Sequence, residues 1–194
     1  MYMTVLKVNF NTLEKQEYFM DFENRDFLHK WLTSQVDTSR EESRMLYSLQ
    51  YSGNELFFYI QSDKPFPKKN IEKAGMAFVK EFELPAVHNG DRIMFKLFCS
   101  AHKIDSKTGR QRFLQSDEER LDWLSRKTTG ILGETNAKEI RISNIMIKDK
   151  ISVPGVEFMG IATVTNEDAF CDMVIKGVGK CKNYGMGLVM YKQL

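Results

Sequence analysis

Hydrophobic positions along the chain recur with two different periods, and the order of those periods predicts its elements. Residues 4–10 read as a strand. Across residues 24–36, Phe27, Leu28, Trp31 and Leu32 recur at helical spacing. Met45, Tyr47, Leu49 and Tyr51 then alternate with Ser48 and Gln50, the two-residue period of a half-buried strand. Ser52-Gly53-Asn54 supplies turn chemistry, so residues 56–61 are predicted to return as the second arm of a hairpin. A weaker amphipathic stretch follows Pro65 and Pro67, and residues 78–84 alternate as a further strand.

The second half repeats the order more clearly. Residues 92–99 place Ile93, Phe95, Leu97 and Cys99 on one side of a strand. Ser116 and Glu119 have capping-box spacing, Asp117 and Glu118 suit a positive helix start, and Leu121 and Leu124 give the helix its apolar stripe. Residues 138–148 alternate as Ile140 and Ile142, then Ile145 and Ile147, and the phase slip at Ser143-Asn144 predicts a β-bulge. Residues 156–164 form the next strand. Asn166 caps a helix that buries Phe170, Met173 and Val174 and ends at Gly177; residues 187–191 close the chain as a strand. The sum is α+β, with β-α-β-β-α-β in tandem: two ferredoxin-like domains with antiparallel sheets, 1–87 and 88–194, meeting near residues 85–90. That order does not specify an activity.

Composition narrows the class. The 194 residues are 42% hydrophobic and 28% charged, a folded-protein balance. No apolar run approaches the roughly 20 residues of a membrane-spanning helix, and the opening MYMTVLKVNF reads as a strand, not a signal peptide. Cys99, Cys171 and Cys181 lack CxxC spacing and a nearby histidine, which argues against a disulfide framework or a metal site and for a reducing cytoplasm. Charge is divided unevenly. Residues 1–90 carry 11 basic and 13 acidic side chains, and residues 91–194 carry 17 and 13, so the second half suits a polyanion better.

The densest local signal is GVGKCKNYGMG, residues 177–187. Its glycines could serve only to cap a helix, make a surface turn and start a strand. Gly179, Gly185 and Gly187 also permit positive φ and close backbone approach, so amides can converge on phosphate oxygens beside Lys180 and Lys182. The loop leaves a helix and enters a strand, the reverse of dinucleotide and Walker loops, and a nucleic-acid backbone suits it better than a nucleotide cofactor. Flanking lysines could lower the pKa of Cys181, though a structural thiol is the simpler reading. His29 falls at the edge of the first helix's apolar face. It reads either as a boundary residue or as a general base, imidazole being the side chain that titrates unperturbed near neutral pH. RNA brings its own nucleophile, the 2′-hydroxyl, so one base and an anion cradle suffice to cleave it without metal or cofactor.

Charge gives the third signal. Residues 96–150 hold twelve Lys or Arg and eight acids, readable either as solvated surface or as an anion-binding tract. Lys103, Lys107, Arg110 and Arg112 share a long loop with one acid, Asp105, and Lys138, Arg141 and Lys148 follow on the next strand. His88 reads as a turn residue, and His102 as a further phosphate contact. No RRM signature appears.

These pieces together resemble a specific family. A tandem ferredoxin-like chain with a histidine on its first helix (DFLHKWL), a mid-chain EERLDWLSRK and a terminal GVGKCKNYGMGL is similar to the CasE-type CRISPR repeat endoribonucleases of the RAMP superfamily, over most of its length. The resemblance implies metal-independent cutting of repeat stem-loops in precursor CRISPR RNA and retention of the product hairpin among the other subunits of Cascade. It implies no membrane and, for the isolated protein, no DNA contact. His29 would take the proton of a 2′-hydroxyl, leaving a 2′,3′-cyclic phosphate and a free 5′-hydroxyl. Lys180, Lys182 and the loop amides would hold the backbone, and Arg110, Arg112, Lys138, Arg141 and Lys148 the stem. The family commonly has a tyrosine one turn before this histidine; here Asp26 stands there, with Tyr18 as a possible substitute and the Asp26 carboxylate as a means of raising the histidine pKa. A noncatalytic RNA-binding subunit and an enzyme for a small anionic ligand are the alternatives.

Overall fold

The computed structural model describes residues 1–9, 24–35, 45–67, 71, 76–148 and 151–194. The chain divides into two compact units. The first is Met1–Pro85 with Met146–Ile151 and Asn183–Gly185; the second is Ala86–Ile145, Ser152–Lys182 and Met186–Leu194. Each holds one four-stranded antiparallel sheet.

In the first unit, β1 (Tyr2–Asn9), helix α1 (Arg25–Ser34), β2 (Leu46–Ser52), β3 (Glu55–Ser62) and β4 (Met76–Glu83) give the sheet order β2-β3-β1-β4. This is the ferredoxin-like order, with β1 paired to both β3 and β4. Leu28 and Leu32 of α1 are fully buried among Leu6, Val8, Tyr47, Phe58 and Ile60. Such burial, and not helix propensity, holds a ten-residue helix in place. β4 is an edge strand and departs from the expected alternation: Phe78, Val79 and Phe82 are all exposed. Most of the amphipathic stretch after Pro67 lies outside the described residues.

The second unit begins with β5 (Arg92–Cys99). It continues through a small hairpin of β6 (His102–Ile104) and β7 (Gln111–Phe113), then α2 (Asp117–Thr128), β8 (Leu132–Lys148), β9 (Ile151–Val164), α3 (Glu167–Lys176) and β10 (Val189–Gln193). The sheet order β10-β5-β9-β8 repeats the ferredoxin-like arrangement. Ile93, Phe95, Leu97 and Cys99 are buried to 3% exposure or less, as their alternation predicts. Ser116 and Asn166 cap their helices, accepting from Glu119 N and Ala169 N.

Two expectations change. A bulge at Ser143-Asn144 would put Ile140, Ile142, Ile145 and Ile147 on one face, because a one-residue slip inverts every side chain. Ile140 and Ile142 are instead 43% and 47% exposed while Ile145 and Ile147 are 7% and 8%. Even-numbered positions from Ile140 to Lys148 stay exposed throughout one continuous strand, so the apolar pattern changes face and the pleat does not. The long basic loop is also not a loop: it is the β6-β7 hairpin, with Lys103 opposite Arg112. Among the described residues, no helix is long and apolar enough to cross a membrane.

Candidate functional site

Helix α1 carries His29. Asn24 caps it by accepting from Phe27 N at 3.1 Å. Burial of Leu28 and Leu32, four residues apart on one face, leaves His29 on the half-buried flank with its Nδ1 shielded from solvent. Asp26, one turn earlier, accepts a hydrogen bond from Lys30 at 2.7 Å. That bond holds its carboxyl below the usual range, with smaller contributions from Lys148 and His29. His29, Asp26 and Lys148 thus share one electrostatic neighbourhood in the first unit. Tyr18, the alternative to Asp26, lies outside the described residues.

The glycine-rich segment is held at several points. Gly177 ends α3 with φ 67°, and a 3-10 turn spans Lys182–Tyr184. At Gly187 (φ 84°) a Cβ would lie 2.7 Å from Val178 O, so no other residue fits there without displacing the backbone. Lys182, expected to face RNA, donates to Lys176 O at 2.6 Å and so closes the end of α3. Burial pushes the Cys181 thiol up while Lys180 pulls it down by less, in keeping with the structural thiol that was the simpler reading.

The tip of this segment, Asn183–Gly185, belongs to the first unit with His29. Tyr47, on β2, donates to Asn183 O at 2.9 Å. At Gly185 (φ 78°) a Cβ would stand 2.8 Å from the Tyr47 ring and 3.4 Å from Arg25 NH1. Lys30 in turn senses Tyr184. The helix bearing the histidine and the tip of the glycine loop are therefore packed together, although 154 residues separate His29 from Asn183. Arg25 and Tyr47 make that junction; the sequence reading took Tyr47 only as a strand residue and passed over Arg25. Arg25 had one legible signal: it stands four residues before His29, hence on the same flank.

The remaining cations fall in the second unit. Lys103, Lys107 and Arg110 are exposed on the β6-β7 hairpin. Its turn is tied by Asp105, whose Oδ1 accepts from Lys107 N, Thr108 N and Thr108 Oγ1. Arg112 is engaged by Glu119 at 2.6 Å. That contact, first among several, brings the Glu119 carboxyl down to about 2. Lys138 is exposed on β8, and Arg141 shares the Glu157 carboxylate with Lys96, each at 3.3 Å. A cleft of about 550 Å³ is lined by Ser100, His102, Trp123, Lys127, Lys180 and Lys182. There Ser100 gives its hydroxyl proton to Pro154 O and lies 3.0 Å from His102 Nδ1, so Nδ1 is the donor of that pair. The hairpin's base and the first part of the glycine loop, Gly179 and Lys180 included, border the same opening.

Two ferredoxin-like units, a histidine on the first helix and a glycine-rich segment closing the last crossover define the class of protein. The chain belongs to the family described as CRISPR associated protein, whose model matches residues 1–192. No curated protein matches the sequence. Solved structures share the fold. CRISPR endoribonuclease Cse3 bound to a 19-nt RNA is 21% identical with a TM-score of 0.82, covering 99% of this chain and 100% of that one. The CRISPR-associated protein Cas6e from Escherichia coli str. K-12 is 18% identical with a TM-score of 0.73, covering 100% of both chains. A chain of a CRISPR RNA-guided surveillance complex is 18% identical with a TM-score of 0.72, again over 100% of both.

Proposed function

We propose that this protein is an endoribonuclease that cuts CRISPR repeat stem-loops in precursor RNA and stays with the product hairpin. The observation that carries the reading is the packing of the Asn183–Gly185 tip into the unit whose first helix bears His29. Family membership and the likeness to an RNA-bound endoribonuclease support it. His29 removes the proton of the 2′-hydroxyl. The 2′-oxygen bonds to phosphorus, the bond to the 5′-oxygen breaks, and that oxygen takes a proton from water and leaves as a hydroxyl, while the imidazolium gives its proton back to solvent. Gly179, Lys180, Gly185 and Gly187 approach the backbone, and Lys182 supports them from the end of α3. Lys103, Lys107 and Arg110 grip the stem, with Arg112, Lys138, Arg141 and Lys148 as further contacts, and the reaction needs no metal. The work is done in the cytoplasm, with the other subunits of a surveillance complex as partners, as the resemblance to that complex suggests.

The test is incubation of the purified protein with a panel of repeat hairpins, with and without EDTA. A 2′,3′-cyclic phosphate product insensitive to chelator is expected, and loss of cutting on chelation would overturn the metal-free reaction. Asp26, tied to Lys30 where the family commonly has a tyrosine, favours a second reading: a noncatalytic subunit using the same surface. Tight binding with no cyclic-phosphate product selects it.

The hairpin gives a quantitative check. Each phosphate contact removed lowers the slope of log K against log salt by about 0.7–0.9. Replacing Lys103, Lys107 and Arg110 with alanine is expected to flatten that slope by about 2–3 in filter binding across salt concentrations. An unchanged slope would take the hairpin out of the interface.

A further inference from the structure

Arg25 is placed against every ordinary preference of an arginine. It is the first residue of α1, where the helix dipole disfavours positive charge. It is 8% exposed, and its NH1 is sealed from solvent and has no hydrogen-bond partner among the described residues. Among the described residues its electrostatic neighbours are the phenols of Tyr51 and Tyr47, not a carboxylate. The Tyr47 hydroxyl proton is already committed to Asn183 O. By contrast, Arg120, the other buried arginine among the described residues, is bonded to two carboxylates and two carbonyls. A guanidinium taken from water without a counter-ion is strongly unfavourable, so an anion that arrives later is the simplest compensation.

The surroundings fit such an anion. NH1 lies 3.4 Å from the position a Cβ at Gly185 would occupy, so the guanidinium lies beneath the bare backbone of the loop tip. The amino-terminal turn of α1 adds the positive end of its dipole. His29 stands one turn further along the same flank.

We propose that Arg25 is the phosphate-binding residue of the cleavage site: its guanidinium takes the non-bridging oxygens of one phosphodiester, held between the first turn of α1 and the Asn183–Gly185 tip. That the phosphodiester belongs to RNA rests on the function proposed above; the phosphate chemistry of the site does not. A planar fork matches two non-bridging oxygens, and these gain negative charge as the 2′-oxygen adds to phosphorus. The contact therefore strengthens toward the transition state and acts on kcat more than on KM.

The test compares the full chain with Arg25→Met and Arg25→Lys. Thermal melting is followed with and without inorganic phosphate, and single-turnover cleavage is measured on repeat RNA, including phosphorothioate isomers at the scissile position. The wild-type protein is expected to melt higher with phosphate. Arg25→Met should melt higher than wild type without phosphate and ignore its addition, because an unpaired buried charge has been removed. Cleavage should fall by about 10²–10³-fold in both variants. Lysine cannot replace the fork, and the preference between phosphorothioate isomers should disappear. If Arg25→Met is less stable than wild type and Arg25→Lys restores both stability and cleavage, Arg25 is a packing residue and the proposal falls. It falls equally if the wild-type protein cleaves and Arg25→Met cleaves at the same rate. If the wild-type protein cleaves nothing but answers phosphate through Arg25, the anion site stands and the endoribonuclease reading is what fails.

Discussion

His29→Ala is expected to lower single-turnover cleavage of a repeat hairpin by roughly 10²–10⁴-fold, the contribution of one positioned general base. Hairpin affinity and the unfolding midpoint should stay where they are. The separation follows from position. The core face of α1 is made by Leu28 and Leu32, both fully buried, and the cap by Asn24; His29 belongs to neither. Alanine is also a better helix former than histidine, so the backbone is not weakened. The cations proposed for the stem lie on the β6-β7 hairpin and β8. Cleavage kinetics, filter binding and thermal melting on the same preparation test all three expectations. Added imidazole should return part of the rate, since the variant lacks only the base. Wild-type cleavage by His29→Ala would remove the residue from the mechanism, whereas loss of affinity together with rate would make it a binding group.

The elements whose burial is periodic were legible from sequence. Ile93, Phe95, Leu97 and Cys99 announce their strand because a single side faces the core, and Asn166 and Ser116 announce helix starts because their side chains satisfy orphan amides. The sequence reading missed features that depend on contact at a distance. The β6-β7 hairpin has no apolar alternation: its register sets Lys103 against Arg112, and its turn is tied by Asp105 and Thr108, so its charge and length drew notice but its strands did not. Arg120 reads as solvent-facing charge between Glu119 and Leu121, yet it is buried at 2% exposure by partners on either side of it in sequence. At the site, His29 and the glycines were visible as residue types. Their meeting was required by the chemistry but not encoded in any local pattern, because it depends on Gly185 meeting Tyr47 and Arg25.

Arg120 carries the largest expected effect on stability. Its guanidinium makes five hydrogen bonds in a site with 2% side-chain exposure: Nε and NH2 to the Glu139 carboxylate, NH2 to Asp117, and NH1 to Leu114 O at 3.0 Å and Gln115 O at 2.7 Å. Asp117 is 81% exposed, so water screens that pair and it adds little. Glu139 is 13% exposed, and the two carbonyls close the segment leaving β7. Arg120→Ala therefore strands a largely buried carboxylate and two carbonyls, a loss of about 3–5 kcal/mol. Lysine should recover little of it, having no fork to span both carbonyls and carboxylate. Because the chain has two units, the measurement needs a local probe. Trp123, stacked on Phe158 at 6.5 Å between ring centres, reports the second unit once Trp31 is replaced by phenylalanine. In that background, urea unfolding of Arg120→Ala should shift to a lower midpoint with its slope unchanged. Adding Glu139→Leu to an Arg120→Met variant should recover most of the loss, because a buried ion pair exchanged for apolar volume is close to neutral. If Arg120→Ala moved the midpoint by less than about 1 kcal/mol, the range of an exposed pair, the clamp would be ornamental. A clamp that holds Leu114 and Gln115 also fixes the foot of the basic hairpin, so the same variant at native temperature should bind repeat RNA more weakly, without any change in a residue that faces it.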